Sequence, residues 1–307
     1  MRSAILSLLR ASWRFTDRLD RAGVPLLGWI SSRWKRQAVR GLFRLASPLL
    51  PRAVTVQGVR ITAPRSHLFG YVLQPHEPEL VALFDRYLGP GMTAVDVGAN
   101  IGYLSLQMAR RVGPAGRVLA VEPAPENLAW LRHNLALNGC RNVEVVAAGA
   151  GAARRRRRLH TGEGSTRHSF HGPAATSAPT GVEVDEIPID ELVGGPVHLV
   201  KIDVEGAELE VLDGMRRILR ESPDLRLIVE WSPYLLKRAG QRPERLVEML
   251  AEQGFSLRLV GSDGALVPID PDRARVFAEE TEAGSRRGYT NLLAERPPAA
   301  ASTSAGG

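Results

Sequence analysis

The sequence predicts an α/β fold in which a mostly parallel sheet carries helices on both faces. Short apolar segments alternate with segments of helical periodicity, an order that builds parallel sheets. A turn of small residues, Gly98 to Gly102, joins the first predicted strand to a helix. The 307 residues, of which 44% are hydrophobic, suffice for one large core with room for an appendage.

The first 50 residues form a basic segment ahead of this fold. They contain ten Lys and Arg and two acids, whereas the whole chain carries +7, so the remainder is close to neutral and does not resemble a nucleic-acid platform. Apolar and Trp residues recur there at helical spacing, which predicts a basic amphipathic helical arm over residues 1–50. This arm either packs on the core or lies on an anionic membrane surface through residues 1–45.

The location of the protein is expected to be cytoplasmic, with peripheral membrane contact if the arm binds lipid. Cys140 is the only cysteine, which excludes an internal disulfide framework and fits a reducing compartment. The apolar run Ala4 to Leu9 is too short to span a bilayer.

The stretch Thr93 to Gly102 is the centre of the predicted site. Thr93 to Val97 is an apolar strand, and a helical pattern follows the turn. Glycine at 98 and 102 lets the backbone approach a ligand closely, and free N–H groups at the helix start attract a carboxylate, phosphate or ribose. Asn100 stands between the only two glycines, so the turn lacks the glycine run of a dinucleotide loop.

Four further parallel strands are predicted at 117–122, 142–148, 198–204 and 225–230. Ligands of such sheets bind beyond the carboxyl ends of the strands, so the residues at those ends should share one pocket with Gly98: Glu122, Ala148, Asp203 and Glu230. Glu122 follows Gly102 by 20 residues, a spacing that suits a carboxylate on ribose hydroxyls. Closing strands at 254–260 and 290–294 bring the count to seven.

The most specific stretch is Lys201 to Glu208, followed by Val211 to Gly214. It resembles the signature of the FkbM-type methyltransferase family. Supporting segments fall in the same order, and the resemblance spans residues 70 to 295: His76–Pro78, Val95–Tyr103, Val121–Pro125, Ile189–Leu192 and Pro223–Glu230. The resemblance implies a Rossmann-like class I methyltransferase fold over residues 51–296, with S-adenosylmethionine as methyl donor.

The resemblance also implies roles for individual residues. The amino-acid end of the cofactor is assigned to Asp96, Gly98, Asn100 and Gly102, and its ribose to Glu122. Asp203 and Glu205 lie beside the reacting centre. The family often has an acid or amide near the adenine after the third strand. Here Ala147 to Ala153 contains neither, so the backbone near Ala148 supplies that contact or the cofactor binds more weakly.

The segment ahead of the first strand is expected to pass near the mouth of the pocket. Val54 to Pro64 predicts a small hairpin, and 79–88 predicts a helix. His76 or Glu77 is therefore a candidate contact for cofactor or acceptor. The alternative is a loop that only covers the sheet.

The acceptor implied by the resemblance is a hydroxyl on a sugar, a glycoconjugate or a natural product. Asp203 is the leading candidate for the base that removes the hydroxyl proton. Lys201 shares its face of the strand, so it either keeps Asp203 ionised or orients the acceptor. Alternatively, Asp203 with Glu205 or Glu230 holds a divalent metal, or Asp203 caps the helix predicted after it.

Four segments carry little periodic information. Arg154 to Arg158 is a solvated strand edge or loop, or else it recruits a phosphorylated or acidic acceptor. Residues 161–180 are predicted as a long insertion loop near the active site, and 261–289 as an irregular excursion. Residues 297–307 are predicted as a disordered tail.

Two other functions stay open at this point. A nicotinamide-dependent oxidoreductase could use a similar sheet, although the missing third glycine argues against it. A non-catalytic adaptor could act at a surface or membrane through the basic arm, and the arginine run near the expected adenine contact favours it.

Overall fold

A computed structural model describes residues 52–64, 68, 71, 76–161, 168–171, 181–283 and 289–296. The chain divides into two units, Met1–Pro78 and Glu79–Gly307. Several predicted features lie outside the described residues: the arm over 1–50, its boundary with the following domain, most of the 161–180 segment and the tail 297–307. Within the described part of the chain, no helix is long and apolar enough to cross a lipid bilayer.

The first unit contains the predicted hairpin. Strands β1 (Val54–Val56) and β2 (Val59–Ile61) pair antiparallel, with Val56 opposite Val59. The two residues between them, Gln57 and Gly58, both have positive φ (44° and 83°), as a tight two-residue hairpin turn requires.

The elements that follow the hairpin alternate between helix and strand, as predicted. In chain order they are α1 (Pro78–Tyr87), β3 (Thr93–Val97), α2 (Tyr103–Val112), β4 (Arg117–Val121), α3 (Pro125–Leu137), β5 (Val143–Val146), β6 (Gly149–Ala150), β7 (Arg155–Thr161), β8 (His168–Ser169), β9 (Gly181–Ile187), α4 (Ile189–Leu192), β10 (Leu199–Ile202), α5 (Glu208–Asp213), α6 (Arg216–Glu221), β11 (Arg226–Trp231), α7 (Pro233–Arg238), α8 (Glu244–Glu252), β12 (Ser256–Val260), β13 (Leu266–Pro268), α9 (Pro271–Ala283) and β14 (Thr290–Glu295).

The second unit is built around an eight-stranded sheet in the order β13-β12-β14-β11-β10-β3-β4-β5. Strands β5, β4, β3, β10 and β11 pair in parallel, whereas β14 runs antiparallel to both of its neighbours. The prediction of a mostly parallel sheet is confirmed. The predicted count of seven strands is wrong by one, because β13 adds an edge strand within 261–289, where we expected irregular chain. Its three residues are too few to show a period.

Helices cover both faces of this sheet, as predicted. On one face, α1 and α2 pack Leu80, Phe84, Met108 and Val112 against strand residues that include Ala94 and Ile228. On the other face, the strand residues of opposite parity pack against the helices after β10 and β11: Val95, Val97, Ile202, Val229, Leu209, Leu212, Ile218 and Leu246. Because side chains alternate along a strand, Lys201 lies on the α1–α2 face, next along that face from Leu199.

A second sheet, in the order β6-β9-β7-β8, is inserted between β5 and β10. The arginine run lies in and just before β7, which pairs antiparallel with both β9 and β8. Carboxylates of this chain match four of the five cations: Arg154 contacts Glu191, Arg156 contacts Asp185, and Arg155 and Arg157 both contact Glu186 and Glu210. The run therefore belongs to a folded sheet and is not a loop, and less of its charge is left for an acidic acceptor.

Candidate active site

The turn after β3 is bonded to the neighbouring strand through its backbone. The N–H groups of Gly98 and Ala99 both donate to the carbonyl oxygen of Val121, at 2.9 and 3.0 Å. Asn100 and Gly102 have positive φ, 51° and 86°, and a Cβ on Gly102 would lie 2.4 Å from Leu131 Cδ1. Helix α2 then begins at Tyr103 with Gly102 at its N-cap. This close-packed turn leaves backbone groups, and no bulky side chain, at the end of β3.

Glu122 connects this turn to the loop that follows β4. Its Oε2 accepts from the N–H of Asn100 at 2.8 Å, and its Oε1 accepts from Ala124 N at 2.9 Å and Asn127 Nδ2 at 3.2 Å. The residue is only 4% exposed, and this burial raises the pKa of its carboxyl to about 7 against the opposing effect of those hydrogen bonds. A carboxylate has about four acceptor positions, so capacity remains for one ribose hydroxyl.

Asp96 lies inside β3 and is almost fully buried. Its Oδ2 accepts a hydrogen bond from the Ser105 hydroxyl at 2.5 Å, and Lys201 lies opposite it in the register of β10. Burial raises the pKa of Asp96 to about 6, while Ser105 and Lys201 act in the opposite direction. The carboxyl therefore bonds to the first turn of α2, and its predicted contact with the cofactor stays a prediction.

Lys201 and Asp203 form an ion pair at the end of β10. The Lys201 Nζ lies 3.6 Å from Asp203 Oδ2 and donates to the carbonyl oxygen of Ile202 at 3.2 Å. The lysine side chain is 1% exposed, whereas that of Asp203 is 32% exposed. The structure thus brings together the two residues that strand periodicity placed on one face, with the cation buried and the carboxylate accessible.

The turn after Asp203 leads to Glu208, whose carboxyl is buried. Glu205 and Gly206 have φ values of 53° and 102°, and the N–H of Gly206 donates to Glu208 Oε1 at 3.0 Å. Burial raises the pKa of Glu208 to about 7, and its Oε2 has no hydrogen-bond partner among the described residues. Helix α5 begins at Glu208 with Ala207 as its N-cap, so the alternative that Asp203 caps this helix is wrong.

Glu230 follows Val229, which pairs with Ile202 of the neighbouring strand. It therefore lies beside Asp203, towards the carboxyl ends of β10 and β11. Burial, together with the charge of Asp203, raises the pKa of Glu230 to about 9. In the described ranges, no group of three or more His, Cys, Asp or Glu side chains is arranged to hold a metal ion, so the metal alternative for Asp203 and Glu230 has no structural support.

Ala148 and Glu77 are the remaining predicted residues. Ala148 is buried just after β5, at the next strand end beyond Glu122. Glu77 belongs to the first unit, where its carboxylate lies 3.7 Å from His76, and its predicted contact with the cofactor stays a prediction. Sequence reasoning missed the partners of the buried acids, Ser105 and Asn127. Both are polar residues on the buried faces of helices, which was the available signal.

A family model described as the methyltransferase FkbM domain matches residues 96–257, more than half of the chain. The chain belongs to the FkbM methyltransferase family. This confirms the family that the motifs predicted and, with the sheet order above, the class I methyltransferase fold. S-adenosylmethionine is the methyl donor of this family, as predicted, which disfavours the nicotinamide alternative.

Similar proteins include other methyltransferases. Protein-L-isoaspartate O-methyltransferase 1 of Arabidopsis thaliana is 28% identical over 161 residues, covering 51% of this chain and 62% of that protein. Methyltransferase sdnD of Sordaria araneosa is 28% identical over 196 residues, covering 53% and 73%. The solved methyltransferase FkbM from Methylobacillus flagellatus is 19% identical, with a TM-score of 0.41, covering 92% of this chain and 70% of that chain. This FkbM-family chain thus spans less than two thirds of the first relative's length.

Proposed function

We propose that this chain transfers a methyl group from S-adenosylmethionine to a hydroxyl of a sugar, a glycoconjugate or a natural product. The Lys201–Asp203 pair carries this proposal. A hydroxyl is a weak nucleophile, so its methylation benefits from a base such as the accessible Asp203 carboxylate. An ionised carboxylate acceptor would need no base, and the negative charge of Asp203 would repel it.

The residues at the strand ends fit the cofactor of the family. The turn with Gly98, Asn100 and Gly102 packs closely against Asp203 and Leu131, and we assign the amino-acid end of the cofactor to it. Glu122 keeps one acceptor position for a ribose hydroxyl. When bound, S-adenosylmethionine supplies a methyl group activated by the positive charge on its sulfur. We assign the adenine contact to the backbone near Ala148.

The chain's own residues divide the remaining work. Asp203 takes the proton of the acceptor hydroxyl as the hydroxyl oxygen attacks the methyl group. Lys201 is buried, so its charge stays close to Asp203 and stabilises the carboxylate. Glu230, whose raised pKa keeps it protonated near neutral pH, adds no further negative charge. Glu205, in the turn after Asp203, is assigned to contacts with the acceptor.

Labelled methyl transfer tests this function. The protein is incubated with methyl-labelled S-adenosylmethionine and separate glycolipid, polysaccharide and small-molecule pools. We expect one pool to be labelled, and Asp203→Asn to abolish labelling while calorimetry with S-adenosylhomocysteine shows nearly unchanged affinity. Asp213→Asn, which removes an exposed carboxylate paired with Arg216, is the matched control.

Other outcomes would point elsewhere. Base-labile label on protein carboxyl groups would overturn the hydroxyl assignment and favour an acceptor like that named for the isoaspartate relatives. Lipid binding without any affinity for S-adenosylhomocysteine would favour the adaptor alternative. Full activity of Asp203→Asn would remove this carboxylate from the mechanism.

A further inference from the structure

A short segment of the inserted sheet contacts the turn that follows the proposed base. We call residues His168–His171 the clasp; it comprises β8 and the two residues after it. Three consecutive side chains of the clasp, Ser169, Phe170 and His171, each contact a different part of the second unit. Ser169 contacts the signature segment Lys201–Glu208, and His171 contacts Glu210, two residues after it.

The signature turn after Asp203 needs support from its surroundings. Glu205 adopts a left-handed conformation with φ of 53°, which costs a residue with a side chain about 1 kcal/mol or more. Gly206 follows with φ of 102°, and a Cβ there would lie 3.0 Å from the carbonyl oxygen of Leu235. A turn of this kind persists only where neighbouring groups hold it in place.

The Ser169 hydroxyl supplies such a contact. Its Oγ donates to the carbonyl oxygen of Glu205 at 2.7 Å and accepts from the N–H of His171 at 3.1 Å. A hydroxyl has a single proton, so the bond from His171 leaves that proton directed at Glu205. Holding this carbonyl fixes the peptide plane between Glu205 and Gly206.

The clasp is itself anchored on both sides of Ser169. Phe170 packs against Gly149, where a Cβ would lie 2.2 Å from the Phe170 ring, and the Arg157 guanidinium stands 4.5 Å above the ring centroid. His171 Nε2 lies 3.0 Å from Glu210 Oε1, on the helix that the signature turn leads into. Burial raises the pKa of Glu210, but His171 and Arg157 act more strongly in the opposite direction and hold that pKa at about 2. The Glu210 carboxylate is therefore ionised near neutral pH.

We propose that Ser169 is a positioning residue for methyl transfer, which holds the backbone of Glu205 and thereby the orientation of the turn that carries Asp203. The inference rests on the proposed role of Asp203. It extends the machinery of the reaction to the inserted sheet, whose residues do not belong to the five parallel strands. Ser169 acts through the backbone, so its loss should affect the turnover rate more than cofactor affinity.

The test compares Ser169→Ala with Ser169→Thr, which keeps a hydroxyl, and with Arg156→Ala, an exposed site on the same sheet. Hydrogen exchange of the peptide covering residues 203–212 reports the order of the turn. For Ser169→Ala we expect faster exchange there and a kcat lowered roughly 3- to 10-fold on the pool that wild type labels, about the loss of one hydrogen bond. The affinity for S-adenosylhomocysteine should stay within about 2-fold, since no cofactor contact is removed.

Two further results decide the proposal. Ser169→Thr should restore most of the exchange protection and rate, and Arg156→Ala should resemble wild type. Unchanged exchange in Ser169→Ala, or an equal loss in Arg156→Ala, would overturn the positioning role. If Asp203→Asn keeps full activity, the proposed base fails, but the exchange data still report separately whether Ser169 orders the turn.

Discussion

The carbonyl oxygen of Asp203 fills the space in which a side chain on Gly98 would stand, because a Cβ built on Gly98 would lie 1.8 Å from that oxygen. The turn after β3 and the turn after β10 therefore meet through their backbones. A side chain added at Gly98 would push on both turns, so a change at Gly98 should affect both the predicted cofactor turn and the proposed base.

Gly98→Ala should destabilise the protein more than Gly91→Ala does. Both glycines have φ of 83°, but Gly91 has nothing within 4 Å of a built Cβ. Gly91→Ala should cost about 1–2 kcal/mol for the left-handed conformation alone. Gly98→Ala adds a backbone collision and should also weaken binding of S-adenosylhomocysteine. Urea unfolding and calorimetry measure the two effects, and an equal loss of stability in both variants would contradict the contact with Asp203.

Glu122→Ala should weaken cofactor binding by roughly 10- to 100-fold, the effect of losing about one charge-assisted hydrogen bond. Part of this loss comes from the turn itself, because Asn100 loses the acceptor for its N–H group. Calorimetry with S-adenosylhomocysteine measures the affinity. Glu126→Ala is the control, since that exposed glutamate lies four residues further on, in the first turn of α3. An unchanged dissociation constant for Glu122→Ala would overturn the ribose assignment.

Glu208→Gln should alter how stability depends on pH. Burial raises the pKa of Glu208 from 4.5 to about 7, so between these pH values the folded state binds more protons than the unfolded state and stability falls as pH rises. Gln keeps the acceptor for Gly206 but cannot ionise. The variant should gain up to about 3 kcal/mol over wild type at pH 8 and little near pH 4.5.

Urea unfolding at pH 5 and pH 8 measures this difference between Glu208→Gln and wild type. Glu144→Gln, which removes an exposed carboxylate paired with Arg117, is the control and should change stability similarly at both pH values. A gain for Glu208→Gln that does not depend on pH would show that its carboxyl is not the titrating group.

Lys201→Met should lower methyl transfer at least about 10-fold, because Asp203 loses the buried cation 3.6 Å away. Lys201 also lowers the pKa values of Asp96 and Glu230. Without it both carboxyls become harder to ionise, so the variant should lose more stability than wild type as pH rises above 6. Labelled transfer and unfolding at several pH values measure both effects. Lys237→Met, at an exposed lysine, is the control, and equal activity in the two variants would contradict the role of the ion pair.

Local patterns predicted the main sheet well. Thr93–Val97 is a strand as expected, and the helices after Gly102 and Pro125 follow the 3.6-residue apolar period. The contact of Lys201 with Asp203 could also be expected, since it depends only on the two-residue alternation of a strand. Such features are encoded within a few residues of one another, so the chain displays them directly.

The inserted sheet could not be predicted in this way. Five consecutive arginines favour a solvated segment, yet Arg155–Thr161 is a strand between two others. It is stabilised by Glu186 and Glu210, which lie about 30 to 55 positions away in sequence, and no local pattern announces such pairs. The bond from Ser169 to the Glu205 carbonyl was hidden for the same reason.

By itself, the sequence determined the family, the α/β class and the acids at the strand ends, because periodicity and motif spacing are local properties of a chain. The tertiary structure alone decided the surroundings of those acids. It buried Asp96 against Ser105, bonded Glu122 to the glycine turn and left Asp203 half-buried beside a buried lysine. Burial and hydrogen bonding set the charge and accessibility of a carboxyl, and both depend on residues that only folding brings together.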